Sequence, residues 1–272
     1  RLTASGLSAA GATWARFLFS APLVAILVWI YANVQGHARP VPGSGFWIHA
    51  MAGGAAQILA TICVVALFAH RNFAVGLTFK TTEVMMTAGL GFLVLGDLVS
   101  LWGCAALALG FAGVYCLSDP PEGGGVLNRA AGLGILSGGF FAISAVGYRG
   151  AVLAMEGDGI VVRAGVSLAF VTAAQTLALG LWLVWREPGQ VTAVLRNWRV
   201  AGIVGGLSML GSFGWFAAFS LQSAAYVFAV GQIELIFAAI ASVFVFGERI
   251  ARREAVGMAL VAASIVTLVA LG

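Results

Sequence analysis

The feature that most constrains this chain is a series of long apolar runs, each close to the length at which an α-helix crosses a lipid bilayer. Such a helix needs about 20 mainly apolar residues. The 272 residues are 61% hydrophobic and only 9% charged, which is too apolar for one soluble domain. Nine runs are present: Gly11 to Asn33, Phe46 to His70, Phe73 to Leu95, Leu98 to Cys116, Ala130 to Ala151, Ile160 to Trp185, Val200 to Leu221, Ala224 to Phe246 and Ala255 to Leu271. The sequence therefore predicts an all-α polytopic membrane protein.

The remaining composition argues against several classes of function. The formal charge of +4 comes from arginines near the ends of the runs, so nothing indicates nucleic-acid binding. The three cysteines have neither the spacing of a zinc site nor that of a disulfide framework. A GxxxxGK[ST] phosphate-binding motif is also missing from the sequence. We expect no metal, no cofactor and no enzymatic activity.

Two glutamates near the middle of apolar runs open the same fifteen-residue phrase. Glu83 begins EVMMTAGLGFLVLGD and Glu234 begins ELIFAAIASVFVFGE, at an offset of 151 residues. The glycine pair at 53–54 matches the pair at 205–206 at an offset of 152. A charged side chain at the centre of a membrane helix costs roughly 2.5 to 3.5 kcal/mol and normally faces a partner or a water-filled cavity. The chain is thus predicted to contain an internal duplication with one carboxylate in each half.

A polar linker separates the predicted halves. Residues 118–129, SDPPEGGGVLNR, combine Pro, Gly and charge between two apolar runs, so the repeats would be 1–117 and 130–272. Phe170 aligns with Phe17, which leaves the first run after the linker without a counterpart. We therefore expect ten helices in two five-helix repeats, the first helix preceding Arg1, with a nine-helix protein as the alternative. Because five is odd, the repeats would be inverted in the membrane.

The phrases that follow the two glutamates resemble a known repeat. FGERIARREAVGMALVAASIV in the second half and LGDLVSLWGCAALALGFAGVYCL in the first resemble the EamA repeat of the drug/metabolite transporter superfamily. The first half departs from the pattern with Asp97 in place of Glu, and Leu235 stands where many members have proline, which puts a helix break there in doubt. The resemblance implies ten helices, alternating access and export of small metabolites, with amino acids a common substrate class.

The charged candidates for a functional site are Lys80, Glu83 and Glu234. Lys80 and Glu83 are three residues apart, so they share one face of a helix and can pair. The pair either only neutralises two buried charges or lines a cavity that meets a charged substrate or a proton. Glu234 has Gly231 at the position of Lys80, so we expect it to bind and release protons, or else to bond to Gln57 or Gln175.

Other candidates are basic or aromatic. Arg16 could clamp a substrate carboxylate, or it could reach the lipid headgroups as Arg163 also could. An aromatic lining would hold an apolar side chain or a cation, unless these rings serve core packing: Trp14, Phe17, Tyr148 and Trp215. Pro22 is predicted to kink the first run and to mark a hinge.

These features together predict a secondary transporter that works by alternating access, with its site between the repeats near the bilayer midplane. The expected substrates are amino acids or related zwitterions. Drugs, organic cations, nucleobases or sugars are the alternatives, followed by an intramembrane enzyme or a scaffold. We expect the partners to be a small-molecule substrate, protons and the lipid bilayer. The protein is expected to be a monomer or weak dimer in a bacterial inner membrane. Arginine counts and the family resemblance predict opposite orientations, and the direction of transport stays open.

Overall fold

A computed structural model describes residues 7–68, 80, 82–117, 129–157, 159–246 and 252–271. The described chain is almost entirely helical, as predicted. Its helices are α1 (Ala9–Gln35), α2 (Phe46–Phe68), α3 (Glu83–Leu95), α4 (Leu101–Leu117), α5 (Arg129–Leu153), α6 (Ile160–Arg186), α7 (Gln190–Arg196), α8 (Trp198–Leu221), α9 (Ala224–Gly231), α10 (Ile233–Phe246) and α11 (Arg252–Leu271). Six helices within this part are long and apolar enough to cross a membrane: α1, α2, α5, α6, α8 and α11. This finding fits an integral membrane protein.

The structure corrects three details of the sequence prediction. The run from Ala224 to Phe246 is two helices, because α9 ends before Gln232 and α10 starts after it. A short helix, α7, occupies part of a connection for which no helix was predicted. Two strands of two residues each, β1 (Val41–Pro42) and β2 (Met155–Glu156), pair antiparallel in connections between helices. The linker at 118–129 lies outside the described residues except for Arg129, and so does most of the run before Glu83.

Contacts between residues divide the chain into two compact units, and each unit combines a segment from both predicted repeats. Unit 1 contains residues 1–62 and 143–222, and unit 2 contains residues 63–142 and 223–272. The helices α2 and α5 contribute residues to both units. The compact units therefore do not coincide with the two repeats predicted from the sequence, because each unit contains residues from both repeats.

Unit 1 is built around α1, which packs along α6 and α8. Ser8 caps the start of this helix, because its hydroxyl oxygen accepts a hydrogen bond from the Gly11 N–H. Gly36 caps the end in the left-handed conformation that favours glycine. Trp14 and Phe17 of α1 are buried together with Leu179 of α6 in an apolar core. Small residues let the helices approach closely. At Gly205 of α8 the space that a Cβ would need is occupied by the side chain of Phe19.

Unit 2 is held mainly by α4 and α11, which pack against each other along their length. An ideal Cβ built on Gly113 would lie 2.8 Å from the backbone N of Val261, so only glycine allows this approach. The hydroxyl of Ser264 donates to the backbone oxygen of Ala106 across the same interface. The helices α3 and α9 also pack together, and residues of both join α4 in a second apolar core.

Candidate functional site

The charged candidates Lys80 and Glu83 form an ion pair in unit 2. Lys80 Nζ lies 3.0 Å from Glu83 Oε1, and the two side chains are 23% and 9% exposed. The ammonium group also lies 4.9 Å from the centroid of the Phe141 ring, a distance at which cation–π attraction operates. The backbone of Lys80 packs closely against Gly138 of α5. A Cβ added to Gly138 would lie 2.8 Å from the backbone oxygen of Lys80. The pairing predicted from the three-residue spacing is therefore present, with Glu83 buried at the start of α3.

Glu234 occupies the matching place in α10, directly after the interruption between α9 and α10. The interruption is made without proline: Gln232 bonds through its N–H to the Ala229 oxygen, and Leu235 bonds to the Gln232 oxygen. Glu234 is exposed, which differs from the buried carboxylate that its apolar surroundings predict, whereas Gln232 is buried. Each of the two repeat-related glutamates therefore stands in the first turn of a helix.

Both carboxylates belong to unit 2, together with Lys80. Glu234 forms no salt bridge with another described residue.

A second polar cluster lies in unit 1, where three helices meet. The Tyr148 hydroxyl of α5 donates to Gln57 Oε1 of α2 at 2.7 Å. Gln175 Nε2 of α6 lies 2.8 Å from the same oxygen, 3.1 Å from the Tyr148 hydroxyl and 3.1 Å from the backbone oxygen of Gly54. Gln175 and Tyr148 are buried, and Gln175 Oε1 has no hydrogen-bond partner among the described residues. Gln57 and Gln175, which the sequence offers as alternative partners of Glu234, bond to each other and to Tyr148.

Arg16 of α1 also makes a polar contact in unit 1. Its Nε donates to the hydroxyl of Ser208 in α8 at 3.0 Å. The side chain is half-buried, and this partner lies inside unit 1. Arg163 is also half-buried, and its Nε has no hydrogen-bond partner in the described residues. Ser208 was not predicted, because one serine in an apolar helix carries no signal of its own.

The four aromatic candidates do not form one lining. Trp14 and Phe17 are buried in the apolar core of unit 1, and the Trp14 indole donates to the Thr176 oxygen at 2.9 Å. The Tyr148 ring packs against the Phe216 ring at a tilt of 34°, with the ring centroids 4.6 Å apart. Trp215, which is 36% exposed, lies against Phe219. Core packing, the alternative to a binding pocket, therefore describes Trp14 and Phe17. Tyr148 contributes through its hydroxyl as well as its ring.

Pro22 lies inside α1, and the helix continues on both sides of it from Ala9 to Gln35. Proline lacks the N–H that would bond to the residue four positions earlier, so one helical hydrogen bond is missing at this point. Pro22 itself is exposed. The position of the proline agrees with the sequence analysis, and its role as a hinge remains a prediction.

Metal binding has no visible ligand set in the described part of the chain, where no group of three or more His, Cys, Asp or Glu residues comes together. The polar groups that do come together are an ammonium and a carboxylate in unit 2 and, separately, two carboxamides and a phenol in unit 1. They suit hydrogen bonding and ion pairing with a small polar molecule.

Sequence comparison assigns no family: no family description matches the chain, and no curated protein matches it. One solved structure, described only as the crystal structure of a protein, superposes with a TM-score of 0.66. The match covers 98% of this chain and 89% of the other, at 15% sequence identity. At this identity the likeness concerns the fold alone.

Proposed function

We propose that this protein is a secondary transporter that exports small zwitterionic metabolites, such as amino acids, by alternating access. The observation that carries the proposal is the ion pair of Lys80 with the buried Glu83 in unit 2, in which a second glutamate, Glu234, opens another apolar helix. Ionisable groups inside membrane helices are costly, and they commonly mark substrate or proton pathways. A scaffold has no need for a buried ion pair and a second carboxylate.

The charges of these side chains favour a cationic ligand. Lys80 is paired with Glu83, whereas Glu234 adds a second carboxylate that forms no salt bridge with a described residue. Glu234 is exposed, so its carboxylate is available to a substrate ammonium group. We assign it the coupling or recognition role, and we assign the Lys80–Glu83 pair the role of holding the local charge constant.

Unit 1 has polar groups of its own that suit the same class of substrate. The Arg16 guanidinium is planar and suits a substrate carboxylate. The buried Gln175 Oε1 has an unused acceptor site, which suits an N–H or O–H donor. These groups fit the two charged ends of an amino acid better than they fit a purely apolar drug.

The packing of the helices supports an inverted duplication as the basis of the mechanism. Two pairs of helices that correspond in the sequence alignment pack against each other: α1 with α6, and α4 with α11. An axis of two-fold pseudosymmetry makes such equivalent elements neighbours. Interrupted helices near a charged site, as at Gln232, are a further common feature of inverted-repeat transporters. We place the protein in a bacterial inner membrane as a monomer or weak dimer.

Transport is tested by reconstituting the purified protein in proteoliposomes and measuring counterflow of radiolabelled amino acids. We expect saturable exchange that empty liposomes lack. A thermal-shift screen against amino acids, organic cations, nucleobases and sugars selects the labelled compounds, since a ligand stabilises the state that binds it. If no compound in the screen exchanges saturably, the proposal is wrong.

The role of Glu234 is tested with Glu234→Gln, which keeps the shape of the side chain and removes its charge. We expect counterflow to lose its dependence on pH, because the carboxylate proposed for coupling is gone. Glu156→Gln is the matched control, since Glu156 is an exposed carboxylate in a connection of unit 1. An unchanged pH profile in a folded Glu234→Gln variant would remove Glu234 from the mechanism.

A further inference from the structure

A long groove on unit 1 lies apart from the polar clusters described above. It runs between the second half of α1 and the first half of α6 and has a volume of about 460 Å³. Its lining is mostly small apolar residues, such as Ala32 and Ala169, between the larger rings of Trp29 and Phe170. Trp29 is 59% exposed and Phe170 is 37% exposed, so the groove opens outward between two aromatic walls.

The length of the groove matches one leaflet of a bilayer. Its residues on α6 extend from Val162 to Ala173, which is roughly 16 Å at a rise of 1.5 Å per residue. Half of a hydrocarbon core of about 30 Å is roughly 15 Å. Both helices are long and apolar enough to span a membrane, so the groove reaches from one membrane surface to the region of the midplane.

One end of the groove is polar and basic. Asn33, His37 and Arg39 line it there, next to the connection between α1 and α2. That connection joins two membrane-spanning helices, so it lies at the bilayer surface. Arg39 is exposed, and in the described residues it has no salt bridge. The groove therefore combines an apolar length with a cationic end at the depth of lipid headgroups.

The basic end is held in place by its neighbours. Pairing of β1 with β2 fixes the residues that follow Arg39, and Gly157 comes so close to Pro40 that a Cβ there would lie 3.1 Å from the Pro40 Cα. The His37 ring stacks on Tyr31 with centroids 6.0 Å apart. The arginine therefore projects from an anchored connection.

We propose that this groove binds one anionic phospholipid, with an acyl chain along the alanine floor and the headgroup phosphate at Arg39 and His37. Charge complementarity selects the anionic lipid, because the polar end offers a guanidinium and an imidazole, and none of the described residues that line the groove is a carboxylate. The apolar length selects a lipid over free phosphate, which has nothing to bury against the alanine floor. The site is separate from the proposed transport groups and does not depend on their function.

Native mass spectrometry of the delipidated protein tests the proposal with two lipids that share the same acyl chains, phosphatidylglycerol and phosphatidylcholine. We expect several-fold greater retention of phosphatidylglycerol. Arg39→Gln should reduce that retention about fivefold, the effect typical of one basic residue near a membrane surface. Arg196→Gln is the matched control, because Arg196 is an exposed arginine of unit 1 outside the groove, and it should leave retention unchanged.

The apolar part of the site is tested by filling it. Ala169→Trp should lower the retention of both lipids, and Val166→Phe serves the same purpose if the first variant unfolds at a lower temperature than the parent. Equal retention of the two lipids by the unmodified protein would overturn the assignment of the headgroup. An equal loss in Arg39→Gln and Arg196→Gln would do the same. Full retention in a folded groove-filling variant would overturn the position of the acyl chain.

Discussion

The ion pair between Lys80 and Glu83 allows a quantitative test of the charged site. Lys80→Met removes the ammonium group and keeps an apolar stem against Phe141, and Glu83→Gln removes the carboxylate charge with little change in shape. The double variant carries neither charge. Because the carboxylate is the more buried partner, loss of Lys80 should destabilise the fold more than loss of the Glu83 charge.

The magnitude follows from the distance and burial of the pair. Unit charges about 3 Å apart attract by roughly 5 kcal/mol at an effective dielectric constant of about 20. Breaking a buried pair by removing one partner typically costs about 3 to 5 kcal/mol. We expect a cost in this range for Lys80→Met and about 1 to 3 kcal/mol for Glu83→Gln, because the lysine side chain is 23% exposed and retains access to water. The double variant should be less destabilised than the sum of the single variants by at least about 2 kcal/mol.

Reversible unfolding in mixed micelles, followed by circular dichroism, measures the free energy of unfolding of the parent protein, the two single variants and the double variant. Glu156→Gln, at an exposed carboxylate, should change the free energy of unfolding by less than about 0.5 kcal/mol. If the two single effects add to the double effect within about 0.5 kcal/mol, the pair is not coupled and the reasoning is refuted. Counterflow by the double variant then separates stability from function: retained exchange of amino acids would limit the pair to a structural role.

Further predictions concern packing and hydrogen bonding. Gly113→Ala should destabilise unit 2 by about 1 to 3 kcal/mol, because the new Cβ would lie 2.8 Å from a backbone atom of α11. Gly89→Ala should instead be neutral or stabilise α3 by up to about 1 kcal/mol, since its Cβ meets nothing within 4 Å; equal effects in the same unfolding assay would contradict the packing account. Tyr148→Phe should cost about 0.6 to 2 kcal/mol through the lost bond to Gln57, while the exposed Tyr115→Phe should be silent. A silent Tyr148→Phe would show that the hydroxyl network adds nothing to stability.

Much of the secondary structure follows from local sequence. The bounds of α2 and α6 agree with the predicted runs within a few residues, because a run of about 20 apolar residues has few alternatives to a membrane helix. The interruption at Gln232 does not follow, since the segment contains no proline and its apolar composition continues on both sides. The short helix α7 was missed because its seven residues lie in a connection without apolar periodicity.

The candidate site also has one part that the sequence predicts and another that it does not. The pairing of Lys80 with Glu83 was predictable because three residues of helix bring both side chains to one face. The cluster of Gln57, Tyr148 and Gln175 was not predictable as a network, because it joins three helices separated by 91 and 27 residues in the chain. Each residue was a candidate, but their partners depended on which helices pack together.

The sequence by itself determined the class of structure, the apolar helices and the place of one glutamate at the start of each of two similar phrases, since hydrophobic length and spacing are properties of neighbouring residues. Only the tertiary structure decided that Glu83 is buried against Lys80 while Glu234 is exposed. The tertiary structure also created the lipid-sized groove between α1 and α6. The reason is physical: burial and partnership depend on the faces that helices distant in the chain present to one another, and no local pattern encodes them.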